Sequence, residues 1–124
     1  MKSLSVILVI CIVLIATQGC YYDKEELLYP SGCDTTVVTY AQTVKPVIGA
    51  YCLSCHGTLT YNTLGGSINL DGYTNIIKQV ESGQLLKSIK HEAGASPMPK
   101  NQQQLSSCNI AKIQKWINAS APNN

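Results

Sequence analysis

The sequence predicts an all-α fold. Apolar residues recur at helical spacing in four segments, and no segment alternates with a period of two. Gly, Thr, Asn and Ser are frequent in the stretch 57–70, which separates the first two helical segments. A chain of 124 residues has room for one domain. We therefore expect about four short helices that share one core.

The first two helices are predicted by apolar residues spaced i, i+3, i+4 and i+7: Val44, Val47, Ile48 and Tyr51, then Tyr73, Ile76, Ile77 and Val80. Thr43 is expected to cap the first helix, which places Pro46 in the first turn, where its missing N–H matters least. Asp71 is expected to cap the second helix.

Two further helices are predicted before a polar tail, 119–124. Gly83 precedes the third helix, and Ser106 or Ser107 is expected to cap the fourth. Their apolar residues are Leu85, Leu86 and Ile89, then Ile110, Ile113, Trp116 and Ile117.

The N-terminus has the pattern of an export signal. Lys2 supplies a positive charge, and Leu4 to Ala16 is a run of 13 residues interrupted only by Ser5. That length is typical of a signal-peptide core and too short to span a bilayer, although an uncleaved anchor is the alternative. We expect a lipoprotein-type signal peptide over 1–19, a tether over 20–38 and a folded domain over 39–124.

Cys20 is the expected lipid-bearing residue. Gly19 is the small residue required before such a Cys, and the polar stretch Tyr21 to Glu26 follows it as a tether. The alternative is an unmodified thiol, which would be prone to oxidation after export. These features predict an exported protein of the periplasm or outer membrane, held to the membrane by a lipid on Cys20.

The charge balance gives no support to nucleic-acid binding. The chain has no Arg, and its formal net charge is only +2. Within 39–124, seven Lys residues stand against Asp71, Glu81 and Glu92. A mildly basic face could steer an acidic redox partner protein, and scattered solvated lysines are the alternative.

Cys52-Leu53-Ser54-Cys55-His56 is the attachment motif of c-type haem. Two thiols three residues apart, at a helix end, can each add to one vinyl group of the porphyrin, and the adjacent His then reaches the iron. One covalently bound haem c is therefore expected. It would also fill the centre of a body of about 80 residues, a size that is marginal for a domain by itself.

The sequence gives less support to two other functions of this motif. A thioredoxin-like cysteine pair is expected beside a βαβ pattern, and no strand is predicted. A structural zinc site needs four ligands, and a second closely spaced ligand pair is missing.

Met98 is the expected second ligand of the iron. It is the only Met after the signal peptide, and Pro97 and Pro99 exclude a helix and stiffen its loop. His/Met ligation is typical of electron carriers. The alternatives are that Met98 fills a gap in the core, or that His91 is the ligand; a solvated His91 or a helix-end cation is the stronger expectation for that residue.

Cys33 and Cys108 remain after the other cysteines are assigned. Cys11 leaves with the signal peptide, Cys20 takes lipid, and the motif takes two more. In an oxidising compartment the remaining pair is most simply a disulfide. It would close a loop of about 75 residues and stabilise the fold by up to roughly 4 kcal/mol on a chain-entropy estimate.

From Cys20 to Asn124 the chain resembles the small class I cytochrome c lipoproteins of Bacteroidota. The stretches that carry the resemblance are Gly19 to Glu26, Thr43 to Ile48, Cys52 to His56, Met98-Pro99 and Ile113 to Ala121. The resemblance implies a cytochrome c fold, in which the first and last helices pack together and the haem lies between helices. It also implies an electron-transfer role in the periplasm or at the outer membrane.

Two classes of function follow from these assignments. If His56 and Met98 saturate the iron, the protein is a one-electron carrier and not an enzyme. If Met98 does not bind, an open iron could serve a haem enzyme or a gas or peroxide sensor, although the chain has no Arg and only His91 as a base. A haem-stabilised binding domain within a larger complex is a further alternative.

Overall fold

A computed structural model describes residues 32–124 of the chain. The expected signal peptide, the lipid site at Cys20 and the tether as far as residue 31 lie outside the described residues. Between 32 and 124 every regular element is a helix and none is a strand, which confirms the all-α prediction. No helix in this range is long and apolar enough to cross a membrane.

Five α-helices and one π-helical turn make up the fold. In chain order they are the π-helical turn Tyr40–Val44, α1 (Lys45–Tyr51), α2 (Leu53–His56), α3 (Tyr73–Glu81), α4 (Gln84–Ile89) and α5 (Ser107–Asn118). The four predicted helices correspond to α1, α3, α4 and α5, and the short α2 contains most of the cysteine motif.

The first helix begins earlier than predicted. Thr39 is its cap, because its hydroxyl accepts a hydrogen bond from the Gln42 N–H at 3.2 Å, so the assignment of Thr43 as the cap is wrong. Pro46 explains why the turn before it is π-helical, since the proline ring would clash with the carbonyl of residue 42 in a regular α-helix. The wider turn, closed by the Lys45 N–H on the Tyr40 carbonyl, leads into α1 with the proline in its first turn, as predicted.

Asp71 does not cap α3, which corrects the second expected cap. Gly72 occupies the cap position with φ of 90°, a left-handed conformation that favours glycine. The Asp71 carboxylate instead accepts a hydrogen bond from the Thr58 hydroxyl at 2.8 Å. Asp71 therefore fastens the 57–70 loop to the start of α3. At α5 the prediction holds, because the Ser106 hydroxyl accepts from the Asn109 N–H at 3.2 Å.

The core lies where the π-helical turn Tyr40–Val44 packs on α5. Its largest fully buried side chains are Val44, Ile48, Ile76, Ile113 and Trp116. Three aromatic rings join the helices: the centroid of the Tyr40 ring lies 5.2 Å from that of Tyr73 and 5.8 Å from that of Trp116. The first and last helical segments thus share one core with α3.

The segment 119–124 is part of this core and not a free polar tail, which corrects that prediction. The Trp116 indole N–H donates to the Pro122 carbonyl at 2.9 Å, and the Tyr73 hydroxyl donates to the Ala121 carbonyl at 2.9 Å. The Tyr40 N–H donates to the Asn124 side-chain oxygen at 2.9 Å. Buried aromatic side chains need partners for their polar atoms, and this segment supplies them.

Cys33 and Cys108 lie together as expected. Their sulfur atoms are 2.06 Å apart, at bonding distance, although 75 positions separate the residues in the sequence. Val38 packs against the core cluster. The last residues of the expected tether are therefore fastened to the body near the start of α5.

Candidate functional site

Cys52, Cys55 and His56 lie on one turn of backbone between α1 and the 57–70 loop. Cys52 interrupts the helix, with φ of −121° and ψ of −37°, and its N–H donates to the Ile48 carbonyl at 2.9 Å to complete α1. Its carbonyl accepts from the N–H of Cys55 at 3.2 Å and of His56 at 2.8 Å, which starts α2. The break between α1 and α2 therefore brings the two thiols and the imidazole onto a single turn.

The two thiols differ in environment. Cys55 is exposed, whereas Cys52 is half-buried and packs against the core cluster. Burial raises the pKa of the Cys52 thiol to about 11, because the surrounding apolar groups disfavour the thiolate. Both cysteines are free thiols in the structure, in contrast to Cys33 and Cys108.

The His56 imidazole is buried and oriented by the backbone. Its side chain is only 8% exposed, and its Nδ1 lies 2.9 Å from the Ile68 carbonyl oxygen. A carbonyl oxygen can only accept a hydrogen bond, so Nδ1 carries the proton. In the neutral ring Nε2 then holds a lone pair, which is the form that binds a metal.

The Nε2 atom of His56 is not sealed in the interior. Among residues 32–124, no fully buried side-chain nitrogen or oxygen lacks a hydrogen-bond partner, and Nδ1 is the ring atom of His56 with such a partner. Nε2 is therefore not completely enclosed by the described chain, while the hydrogen bond at Nδ1 fixes the ring.

Gly65 packs against this imidazole. A Cβ atom at position 65 would lie 2.9 Å from His56 Nδ1 and 2.7 Å from the Cys55 carbonyl oxygen, closer than such atoms approach. The loop is tied back to the motif by the Leu70 N–H, which donates to the His56 carbonyl at 2.8 Å. Sequence reasoning did not identify Gly65 or the Ile68 carbonyl as part of the site; the Gly65-Gly66 pair in a polar loop was the available signal.

Apolar side chains are exposed around the motif. Of the five large hydrophobic residues that the described chain exposes, four fall within positions 51–68: Tyr51, Leu59, Leu64 and Ile68. Leu59 is 96% exposed and Leu64 is 62% exposed. Apolar surface concentrated in one segment is typical of a place where another molecule binds.

Met98 is held at the end of α4, by a part of the chain different from the one that holds His56. Its N–H donates to the Ser88 carbonyl at 3.0 Å, and its own carbonyl lies 3.0 Å from His91 Nε2. The side chain is half-buried, and within residues 32–124 it is not part of the core cluster or of the residues packed against it. These facts do not favour a role as a gap-filler in the core.

This geometry does not support the two alternative functions of the cysteine motif, a structural zinc site and a thioredoxin-like cysteine pair. In the part of the chain that the structure describes, no three His, Cys, Asp or Glu side chains converge as a structural zinc site requires, and Cys33 and Cys108 are paired with each other. A thioredoxin-like nucleophile has a lowered thiol pKa, whereas burial raises that of Cys52.

The difference between the thiols predicts a difference in reactivity. In protein whose Cys52 and Cys55 thiols are unmodified, an alkylating reagent at pH 8 should modify Cys55 at least tenfold faster than Cys52. The reason is that only about one Cys52 thiol in a thousand is ionised at pH 8 when its pKa is about 11. Peptide mapping by mass spectrometry measures both rates. Raising the pH towards 11 should narrow the ratio; equal rates at pH 8 would contradict the burial of Cys52.

The structure thus places two thiols and an oriented imidazole on one turn, and Met98 in a loop fixed to α4. The sulfur atoms of Cys33 and Cys108 lie at bonding distance from each other. Comparison of the chain with protein families, with curated proteins and with solved structures found no match.

Proposed function

We propose that this protein is a monohaem c-type cytochrome that carries single electrons outside the cytoplasm. Cys52 and Cys55 would hold one haem c covalently, and His56 and Met98 would bind its iron. A lipid on Cys20 would anchor the exported chain in the periplasm or at the outer membrane. Its partners would be an electron donor protein and an electron acceptor protein.

The observation that carries the proposal is the imidazole of His56. It directly follows the second cysteine of the motif, and its Nδ1–H donates to the Ile68 carbonyl at 2.9 Å. A histidine that ligates a metal commonly donates its other N–H to a carbonyl or carboxylate, which fixes the ring and its tautomer. His56 has this arrangement, which leaves Nε2 as the ring nitrogen that would bind the iron.

The two cysteines suit covalent attachment. Each thiol would add across one vinyl group, so that a C–S bond forms and the thiol hydrogen moves to the other vinyl carbon, with no net oxidation. The exposed Cys55 and the half-buried Cys52 would then hold the haem at two points. The bound haem supplies reversible one-electron chemistry.

The surroundings of the turn fit a large apolar group. The exposed side chains of Leu59, Leu64 and Ile68 belong to the loop that orients His56, and a porphyrin packed on such side chains would remove them from water. Gly65 leaves the space that the imidazole occupies, because a Cβ atom there would meet its ring. The residues present therefore fit the group.

The carrier is favoured over an enzyme or a sensor by the proposed second ligand. The half-buried Met98 is fixed through both its N–H and its carbonyl, and it is not part of the core cluster, so its side chain is not committed to core packing. With an imidazole and a thioether as ligands, the haem would have a raised reduction potential and no free position on its iron for a substrate.

Absorption spectra of the exported, haem-loaded protein test the proposal. The native protein should show a low-spin c-type spectrum with a sulfur-to-iron charge-transfer band. Met98→Leu, which keeps the volume but removes the thioether, should lose that band and lower the reduction potential by more than 100 mV, on the order of the difference that axial ligands produce. Lys100→Ala, a change at an exposed neighbour, is the matched control and should leave both unchanged.

Each other outcome has a definite meaning. A high-spin spectrum in the native protein would overturn the carrier in favour of an open-site enzyme or sensor. Absence of covalent haem, from a host that attaches it to a control cytochrome, would overturn the function itself. An unchanged band in Met98→Leu would assign the second ligand to another residue.

A further inference from the structure

His91 contacts the backbone of the proposed ligand Met98. Its Nε2 lies 3.0 Å from the Met98 carbonyl oxygen, and because that oxygen can only accept, Nε2 carries the proton. The imidazole is on the surface, so this bond is not forced by burial. His91 is therefore exposed, as its sequence position predicts, and it also has a specific backbone partner.

The backbone around His91 makes this contact possible. Helix α4 ends at Ile89 with Lys90 as its C-cap, and His91 then adopts a left-handed conformation with φ of 54°. The Ser88 carbonyl, which is left free at the helix end, accepts from the His91 N–H at 3.2 Å and from the Met98 N–H at 3.0 Å. The segment 91–98 is thus a closed loop whose two ends meet at Ser88.

Two hydrogen bonds therefore hold Met98 from the same place. The Ser88 carbonyl binds its N–H, and the His91 imidazole binds its carbonyl, so both polar groups of the Met98 backbone are fixed to the end of α4. Two fixed points restrain the position of a residue and the direction of its peptide planes. One bond alone would leave the segment free to rotate about it.

We propose that His91 is a positioning residue that holds Met98 in place as the second iron ligand. The inference rests on the proposed function, and it assigns His91 a role other than that of rival ligand. An iron–thioether bond competes with small external ligands, so its resistance to them depends on how firmly the protein presents the Met. Loss of the His91 hydrogen bond should make Met98 easier to displace.

The test compares the haem-loaded native protein with His91→Ala, His91→Gln and Lys87→Ala. Gln can present an amide N–H at about the reach of Nε2, so His91→Gln is the rescue. Lys87 is an exposed residue of α4, so Lys87→Ala is the control. Imidazole is titrated into the oxidised protein, and the sulfur-to-iron band reports displacement of Met98. Loss of one hydrogen bond should raise the apparent imidazole affinity of His91→Ala about fivefold, with His91→Gln within about twofold of native.

A second measurement does not depend on the iron. Hydrogen exchange at the Met98 amide, followed by NMR, should accelerate about fivefold in His91→Ala and not in Lys87→Ala. That amide makes the second of the two hydrogen bonds that hold Met98, the one to the Ser88 carbonyl. Unchanged exchange, or His91→Gln behaving as His91→Ala in the titration, would overturn the inference while the proposed function stands. Faster exchange together with a Met98→Leu spectrum identical to native would show that Met98 is not a ligand; it would overturn the ligand assignment and, with it, the positioning role.

Discussion

Gly65→Ala should destabilise the protein by about 1–3 kcal/mol and disturb the ring of His56. The added Cβ would lie 2.7 Å from the Cys55 carbonyl oxygen, 2.9 Å from His56 Nδ1 and 3.0 Å from the Tyr61 Cα. Two of these three atoms are backbone and cannot turn aside. The imidazole is the group that can move, and any movement lengthens its 2.9 Å hydrogen bond to the Ile68 carbonyl.

Two measurements check this prediction. Urea denaturation gives the change in the free energy of unfolding, and the nitrogen chemical shifts of His56 report whether Nδ1 still carries the proton. Gly49→Ala is the matched control, because a Cβ at that position meets nothing within 4 Å. Gly49 is an exposed helical residue, so its change to Ala should stabilise the fold by about 0.5–1 kcal/mol. If Gly65→Ala were as stable as Gly49→Ala, the close packing of loop and imidazole would be refuted.

Trp116→Ala should lower the free energy of unfolding by about 3–5 kcal/mol, the largest effect that we expect from a single change. Its side chain is fully buried, and its ring lies among those of Tyr40 and Tyr73. Its indole N–H also donates to the Pro122 carbonyl at 2.9 Å. Removal would leave a cavity where the π-helical turn, α3 and α5 meet, and would release the segment 119–124. Since a domain of this kind is stable by about 5–15 kcal/mol, the loss would amount to about a fifth of the stability or more.

Denaturation followed by far-ultraviolet circular dichroism measures this loss. Lys115→Ala changes an exposed neighbour on α5 and should stay within about 0.5 kcal/mol of native. Trp116→Phe keeps a ring but leaves the Pro122 carbonyl without its donor, so it should fall between the two. A Trp116→Ala protein only about 1 kcal/mol less stable than Lys115→Ala would show that this cluster does not hold the first and last helices together.

Local patterns predicted the helices well, and their ends less well. Spacing identified α1, α3, α4 and α5, because a helix that buries one face repeats its apolar residues every three to four positions. The caps at Thr43 and Asp71 were wrong for a different reason. A cap depends on which nearby oxygen reaches the free N–H groups at the helix start. Pro46 moved the start of the first helical segment to Tyr40, and the Asp71 carboxylate accepts a hydrogen bond from Thr58 instead of capping α3.

In the candidate site too, some features could be predicted from the sequence and others could not. The motif at Cys52, Cys55 and His56 is contiguous, so its residues and their spacing are visible in the sequence, and the pairing of Cys33 with Cys108 followed from counting cysteines. The hydrogen-bond partner of His56 could not be predicted. It is a backbone carbonyl 12 positions away, and every residue carries such a group.

The sequence by itself determined the helical class and the contiguous segment that carries both thiols and the imidazole, and it supplied Met98 and His91 as candidates for the proposed second ligand. Only the tertiary structure decided that the Ile68 carbonyl orients His56, that His91 binds the backbone of Met98, and that the segment 119–124 belongs to the core. The physical reason is that periodicity and motifs record what neighbouring residues do. The path of a loop such as 57–70 depends instead on backbone angles, as at Gly66 with φ of 58° and Ser67 with φ of 64°, and on contacts made across the fold.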